Sequence, residues 1–312
     1  MNTQSERVQL GKSDVWVSPL GIGTWQWGDR LFWNYGAAYG SADLKPAFDA
    51  ALNAGINWFD TAELYGPHTS ERLLGQFMRE SHAQPLIATK FFPIPWRFWR
   101  GSLLRALRNS LKRLQLKQVD LHQIHWPSPT MSVETQAAAL ADAVDAGLTR
   151  AVGVSNFDVA QMRRAHAVLA RRGIPLATNQ VEYSLIQRAP ERTGLVAACQ
   201  ELGVTLIAYS PIGKGILSGK YSAQHPPPGP RAGRYPAARL ARMQPLLDLL
   251  KDLGRAHDRT PSQVALNWLI CKGTLPIPGV KNARQVQDNA GALGWRLRDN
   301  DVRALDDASE SL

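Results

Sequence analysis

The sequence predicts an α/β protein, a (β/α)8 TIM barrel forming one domain over residues 1–312. Three observations predict it. Eight short β-type runs alternate with eight longer helical patterns, the order that builds a parallel sheet wrapped in helices. Several runs are apolar over much of their length, as strands covered on both faces are. A doubly wound open sheet would carry G-x-G-x-x-G after its first strand, and the chain reads GIGTWQWG there.

The elements follow in order. VQLG and VWVS flank KSD and pair as an N-terminal β-hairpin that caps the lower mouth of the barrel. The eight strands are LGIGTW (20–25), INWFD (56–60), LIATK (86–90), VDLHQIH (119–125), AVGVS (151–155), ATNQVEY (177–183), VTLIAYS (204–210) and TLPIPG (274–279). Helical patterns lie near 42–54, 69–80, 100–114, 133–146, 157–172, 190–202, 237–256 and 262–272. The last has a clear start: Thr260 as N-cap, Pro261 in the first turn and Gln263 three residues after the cap. Two extra C-terminal helices follow, near 283–292 and 299–309. HPPPGPRAGRYP (225–236) reads as a long irregular loop after the seventh strand, on the side where barrel loops build sites.

Composition narrows the function classes. Apolar content of 44% and a charged fraction of 20% are ordinary for a soluble enzyme. No apolar run approaches the ~20 residues of a membrane span, and MNTQSERVQL lacks the apolar core of a signal peptide, so a cytoplasmic protein is expected. Cys199 and Cys271 read as reduced core thiols. The net charge of +10 suits an anionic ligand; without a basic run of five or more residues, nucleic acid is not expected as a partner.

Asp60 ends an apolar strand, and Tyr65 follows in the loop. A carboxylate there needs a partner, because desolvating an unpaired charge is costly. Lys90 and His125 end the next two strands, so all four meet at one rim of a barrel. Together they make a proton donor for a carbonyl. An adjacent ammonium favours phenolate and is expected to lower the tyrosine pKa from about 10. His122 and His125 form H-x-x-H, but positions three apart on a strand face opposite sides, so no metal site is expected.

FDTAELYG, IATK and VDLHQIHWP resemble the signature segments of the aldo-keto reductase family, and the similarity runs from LGIGTW to IPGVKNARQVQDN. The resemblance implies a barrel that reduces carbonyl compounds with NADPH. It implies Tyr65 as general acid, Lys90 and Asp60 tuning it, and His125 orienting the carbonyl.

Cofactor positions follow residue by residue. Thr24 and Trp25, which end the first strand, are counted among them. Ser155, Asn156 and Gln180 match positions that hydrogen-bond the nicotinamide carboxamide, and Tyr209 matches the aromatic that stacks on the ring. SPIGKGILSGKY looks like the family's pyrophosphate loop, with Ser210, Pro211, Ile212, Lys214, Gly215, Ser218 and Lys220 as contacts. It is not an ATP-binding P-loop, because Lys214 stands where glycine is required and Tyr221 replaces the magnesium-binding hydroxyl. Gly279, Lys281, Gln285, Asp288 and Asn289 fall at the adenosine end, with Lys281 the candidate for a 2′-phosphate. Arg231 or Arg234 would add a phosphate contact from the proline-rich loop. Many members carry arginine where Gln285 stands and glutamate where Asp288 stands. Potassium-channel β-subunit relatives have glutamine at the first position and bind NADP. NADPH/NADP+ is therefore expected, with NADH as the lesser alternative.

Trp25, Trp27, Phe91, Trp96 and Trp126 are expected to wall a pocket for a flat or apolar carbonyl substrate, such as an aromatic aldehyde, a quinone-like ketone or a ring aldehyde. The competing reading is a redox-sensing regulatory subunit with slow catalysis, bound to a larger partner. Oligomeric state is not legible in the sequence.

Overall fold

The computed structural model describes residues 6–310 and 312. The first five residues of the polar N-terminal stretch lie outside it. The hairpin is β1 (Val8–Gln9) and β2 (Trp16–Val17). The barrel strands are β3 (Ile22–Gly23), β4 (Trp58–Asp60), β5 (Leu86–Phe91), β6 (Val119–Ile124), β7 (Thr149–Ser155), β8 (Leu176–Glu182), β9 (Thr205–Tyr209) and β10 (Leu275–Ile277). The helices are α1 (Ser41–Asn53), α2 (Thr69–Glu80), α3 (Gly101–Leu114), α4 (Val133–Asp145), α5 (Val159–Ala170), α6 (Ala189–Arg192), α7 (Leu195–Leu202), α8 (Pro230–Arg234), α9 (Ala237–His257), α10 (Pro261–Cys271), α11 (Ala283–Ala290) and α12 (Asp299–Ser309).

Strands β3 to β10 pair in sequence order, all parallel. The ring closes through backbone bonds from Gly21 N to Pro276 O and from Gly23 N to Pro278 O, each 3.1 Å. The expected barrel is therefore what the chain forms.

Two expectations are corrected. The single helix near 190–202 is two, α6 and α7, because Gly194 takes a left-handed conformation between them (φ 75°). The proline-rich loop is not wholly irregular, since it ends in the short helix α8. The start of α10 is as read: the Thr260 side chain accepts from Gln263 N and completes a capping box.

The core has two parts. Phe48, Phe59, Phe77, Leu107, Ile124 and Leu140 belong to the larger one, between the strands and the helices. The smaller one fills the lower lumen: Trp58, Ala88, Leu121, Ala151, Ile207 and Leu275 meet Leu10, Val15 and Val17 of the hairpin region. Side chains two apart on a strand share a face. Two residues above Trp58, Ala88 and Leu121 the same lumen holds Asp60, Lys90 and Gln123, so the site sits directly on an apolar plug.

Candidate active site

The polar layer is built around one buried ion pair. Lys90 and Asp60 are 0% and 1% exposed, and the Lys90 ammonium bonds Asp60 Oδ1. A lysine has three N–H donors. The other two go to Thr61 O at 2.8 Å and to Tyr65 Oη at 3.4 Å. The second Asp60 oxygen accepts from Gln180 Nε2 at 2.8 Å and Gln123 Nε2 at 3.4 Å. Both charges are thus satisfied on every side, which a buried pair requires.

These bonds set the protonation states. Burial acts to lower the Lys90 pKa, but Asp60 and Tyr65 outweigh it, so the pKa rises and the ammonium persists. Burial raises the Tyr65 pKa, Lys90 pulls it back, and Asp60 pushes it up again. The net direction is upward, which corrects the expected fall. The physical reason is that desolvation and the carboxylate together exceed the ammonium's attraction. Tyr65 is therefore held as a phenol. Because its oxygen accepts from Lys90, its own proton is free to be donated.

His125 lies edge-on to Tyr65 with ring centroids 5.7 Å apart. Burial, helped by the Lys90 charge, lowers its pKa to about 3, so the ring is neutral near pH 7. His122, on the opposite face of the strand, is buried and also pushed down to about 3 by desolvation. No cluster of three or more metal-ligating side chains occurs among the described residues.

The rim opens into a cleft of about 830 Å³. Asp60, Tyr65 and His125 reach it, while Lys90 lies beneath them. All eighteen residues expected at the cofactor line it. They converge from the ends of β3, β7, β8, β9 and β10, from the loop after β9 and from α11 with the segment before it. Ser155 Oγ donates to Gln180 O at 2.7 Å, and Tyr209 Oη donates to Asn156 Oδ1 at 3.0 Å. Asn156 Nδ2 in turn donates to His125 O at 3.0 Å. Lys214, Lys220, Arg231 and Lys281 place four cations along one stretch of the cleft. Burial lowers the Lys281 pKa, and crowding by Arg231 and Lys220 lowers it further. Such crowding is what an anion in the cleft would relieve, so the residues fit a phosphate-bearing dinucleotide.

The substrate wall needs correction. Trp25 and Trp126 line the cleft. Trp27 does not: it is fully buried against Phe59 and Phe77, and its indole donates to Val280 O. Phe91 points away from Lys90 by strand alternation and joins the outer core. Trp96 is 68% exposed and lies outside the cleft lining. The neighbour Phe92 takes the place expected of Phe91 and stands edge-on to His125 at 5.5 Å. Leu64 adds an apolar edge.

Sequence reasoning also missed Glu63, which is 4% exposed. It accepts from Phe92 N at 2.8 Å and pairs with Arg97, tying the loop after β5 to the loop that carries Tyr65. Its position inside FDTAELYG was the available signal.

Comparison with known proteins decides the family. The family model described as "Aldo/keto reductase family" matches residues 19–310. The chain belongs to the aldo/keto reductases. It is 41% identical to a chloroplastic pyridoxal reductase of Arabidopsis thaliana, over 98% of this chain and 86% of that one. It is 36% identical to an uncharacterized oxidoreductase of Mycobacterium tuberculosis, over 95% of this chain and 90% of that one. Among solved aldo/keto reductase barrels, a glycerol dehydrogenase from Gluconobacter oxydans superposes with TM-score 0.87 at 25% identity, covering 98% and 95% of the two chains. An aldo/keto reductase from Klebsiella pneumoniae, solved with NADP and acetate, gives 0.76 at 26% identity, covering 97% and 95%. An oxidoreductase of this family acts on small molecules with a nicotinamide cofactor. No helix among the described residues is long and apolar enough to cross a membrane.

Proposed function

We propose that this protein reduces aldehydes or ketones to alcohols with NADPH, and that Tyr65 is the general acid. The observation that carries the reading is the bond from Lys90 to Tyr65 Oη, with Asp60 behind it and His125 beside it. The neutral His125 imidazole is positioned to donate an N–H to the carbonyl oxygen. Tyr65 then gives that oxygen its proton, and the Lys90 ammonium stabilises the phenolate left behind. A bound nicotinamide would supply the hydride, so that one hydride and one proton would yield the alcohol and NADP+. Ser155, Asn156 and Gln180 would hold the carboxamide end, and the Tyr209 ring would support the nicotinamide. Lys281 would contact the 2′-phosphate.

Trp25, Phe92, Trp126 and Leu64 form an apolar wall that suits a flat ring. The Arabidopsis relative is named a pyridoxal reductase. Both points make a ring aldehyde of the pyridoxal type the first substrate to try, with 4-nitrobenzaldehyde as a general aldehyde probe. The test follows NADPH oxidation with each aldehyde. Tyr65→Phe is expected to lower kcat by roughly 10²–10⁴ while NADPH affinity holds. An unchanged kcat removes the acid assignment.

A further inference from the structure

We propose that the turn after β5 and the outer face of α3 dock on an anionic lipid surface. Trp96, Phe98 and Trp99 enter the headgroup layer, and Arg105, Arg108 and Lys112 meet the lipid phosphates. This goes beyond the proposed function and does not rest on it.

The first observation is where apolar surface is left uncovered. Among the described residues, every exposed large hydrophobic side chain except Trp16 belongs to a loop leaving the rim that carries the site: Leu31, Leu64, Trp96, Phe98, Trp99 and Trp126. Three of them share one turn, with Trp96 68%, Phe98 64% and Trp99 43% exposed. The Phe98 and Trp99 rings meet edge-on at 5.6 Å. Single exposed apolar residues need no explanation, but large ones concentrated on one face mark an interaction site.

The second observation is that the turn is anchored from within. Arg97, between Trp96 and Phe98, pairs with Glu63 and donates to Phe92 O at 3.1 Å. Its guanidinium lies 5.2 Å from the Phe91 ring centre, and its backbone N–H donates to Ile94 O at 2.8 Å. From the next loop, Thr130 Oγ1 donates to Pro95 O at 3.4 Å. The backbone is thus fixed while the aromatic rings face outward.

The third observation is charge. Between Glu80 and Asp120 the chain has eight Lys and Arg residues and no acid. Lys90, Arg97, Arg100 and Arg113 are matched by Asp60, Glu63, Asp142 and Glu71. Arg105, Arg108 and Lys112 are exposed and make no ion pair among the described residues. Their spacing puts them on one face of α3, opposite its buried Leu103, Leu107, Leu111 and Leu114. The neighbouring helices do not neutralise them. Glu71, Glu134, Asp142 and Asp145 are already paired with arginines, and Glu80 lies at the end of α2 away from the rim. The Arg105 guanidinium is 5.9 Å from the Trp99 ring centre, so the basic stripe and the aromatic turn are one surface.

Tryptophan rings beside long basic side chains suit a bilayer interface. The rings sit at headgroup level and the cations meet anionic phosphates. A second copy of this chain fits less well, because a two-fold contact would set the basic stripe against itself. Nucleic-acid bases would stack on the rings but leave Leu31, 95% exposed on the same rim, without an apolar partner. Docked this way, the cleft mouth edged by Leu64 and Trp126 opens beside the lipid.

Co-sedimentation with unilamellar vesicles tests this, using phosphatidylcholine with and without phosphatidylglycerol. The full chain is expected to bind the phosphatidylglycerol vesicles, and less so as salt rises. Each cation at an anionic leaflet contributes about fivefold, so Arg105→Gln/Arg108→Gln/Lys112→Gln should weaken binding about a hundredfold. Trp96→Ser/Phe98→Ser/Trp99→Ser should weaken it about tenfold or more. Both variants should keep the wild-type melting temperature, because the side chains are exposed. Trp96→Phe/Trp99→Phe should still bind but lose most tryptophan quenching by lipids brominated on their acyl chains, which reads insertion independently of the serine variant. A wild-type protein that stays in solution beside phosphatidylglycerol vesicles overturns the proposal. So does binding that neither triple variant weakens. Tighter binding to oligothymidylate than to vesicles at equal salt would assign the surface to nucleic acid instead. A dimer in sedimentation velocity that the serine variant dissociates would assign it to a second copy.

Discussion

The two ends of the barrel lumen are lined by the same strands and have opposite chemistry. At the lower end, Trp58, Ala88 and Leu121 pack with hairpin residues into a dry plug. One side-chain layer higher, Asp60, Lys90 and Gln123 form a polar network in which the ion pair is almost wholly buried. The lower layer gains stability from apolar burial. The upper layer is costly to assemble and tolerable only because each donor and acceptor is matched. The contrast teaches that the plug supports the site: it excludes water from below, so the charges above act in a medium of low polarisability.

Three experiments break or sharpen this contrast. The largest effect is expected at the polar layer. Lys90→Met leaves the Asp60 charge buried and unpaired, and should cost roughly 3–5 kcal/mol of stability together with nearly all activity. The double variant Lys90→Met/Asp60→Asn should recover much of that stability in denaturant melts and none of the activity. A double variant as unstable as the single one would mean that the pair is not what holds this layer together.

The next effect lies at the apolar layer. Leu121→Ala opens a cavity and should cost roughly 2–4 kcal/mol in the same melts. Its kcat should stay within about twofold of wild type below the melting range. A collapse of kcat at intact fold would mean that the plug positions the proposed catalytic groups as well as supporting them.

The smallest effect concerns pH. His122 is buried and neutral, with its pKa lowered from 6.5 to about 3 by desolvation. Its unfolded form takes a proton first as pH falls, so the unfolded state binds more protons and stability drops. Above about pH 6.5 the group adds no penalty; between there and about pH 3 it costs about 1.4 kcal/mol per pH unit. His122→Phe should flatten the decline between pH 6.5 and 5 by that slope. An unchanged slope would place the acid sensitivity elsewhere.

Much of the fold was legible because periodicity reports which faces are covered. The eight strands, the hairpin cap and the helix capped by Thr260 follow from local pattern and cap chemistry. The meeting of Asp60, Tyr65, Lys90 and His125 was legible because each sits at or just after a strand end, and parallel strands in a barrel share one rim. The aromatic wall was read less well. Trp27 is turned inward by a tight bend, in which its N–H donates to Thr24 O, and no local pattern marks that turn. Phe91 and Phe92 are neighbours in sequence and fall on opposite sides of the strand, one core and one cleft.

By itself, then, the sequence determined the element order, the closed barrel and the four groups gathered at its rim. These depend on short-range periodicity and on a rule of chain direction. Only the tertiary structure decided that the Tyr65 pKa moves upward, that Trp27 is core, and that Arg97 turns inward to Glu63 while Trp96 and Phe98 face solvent. Those outcomes rest on desolvation and on contacts across as many as 253 residues of chain. Both are properties of the packed volume around an atom, and a linear string of residues does not contain that volume.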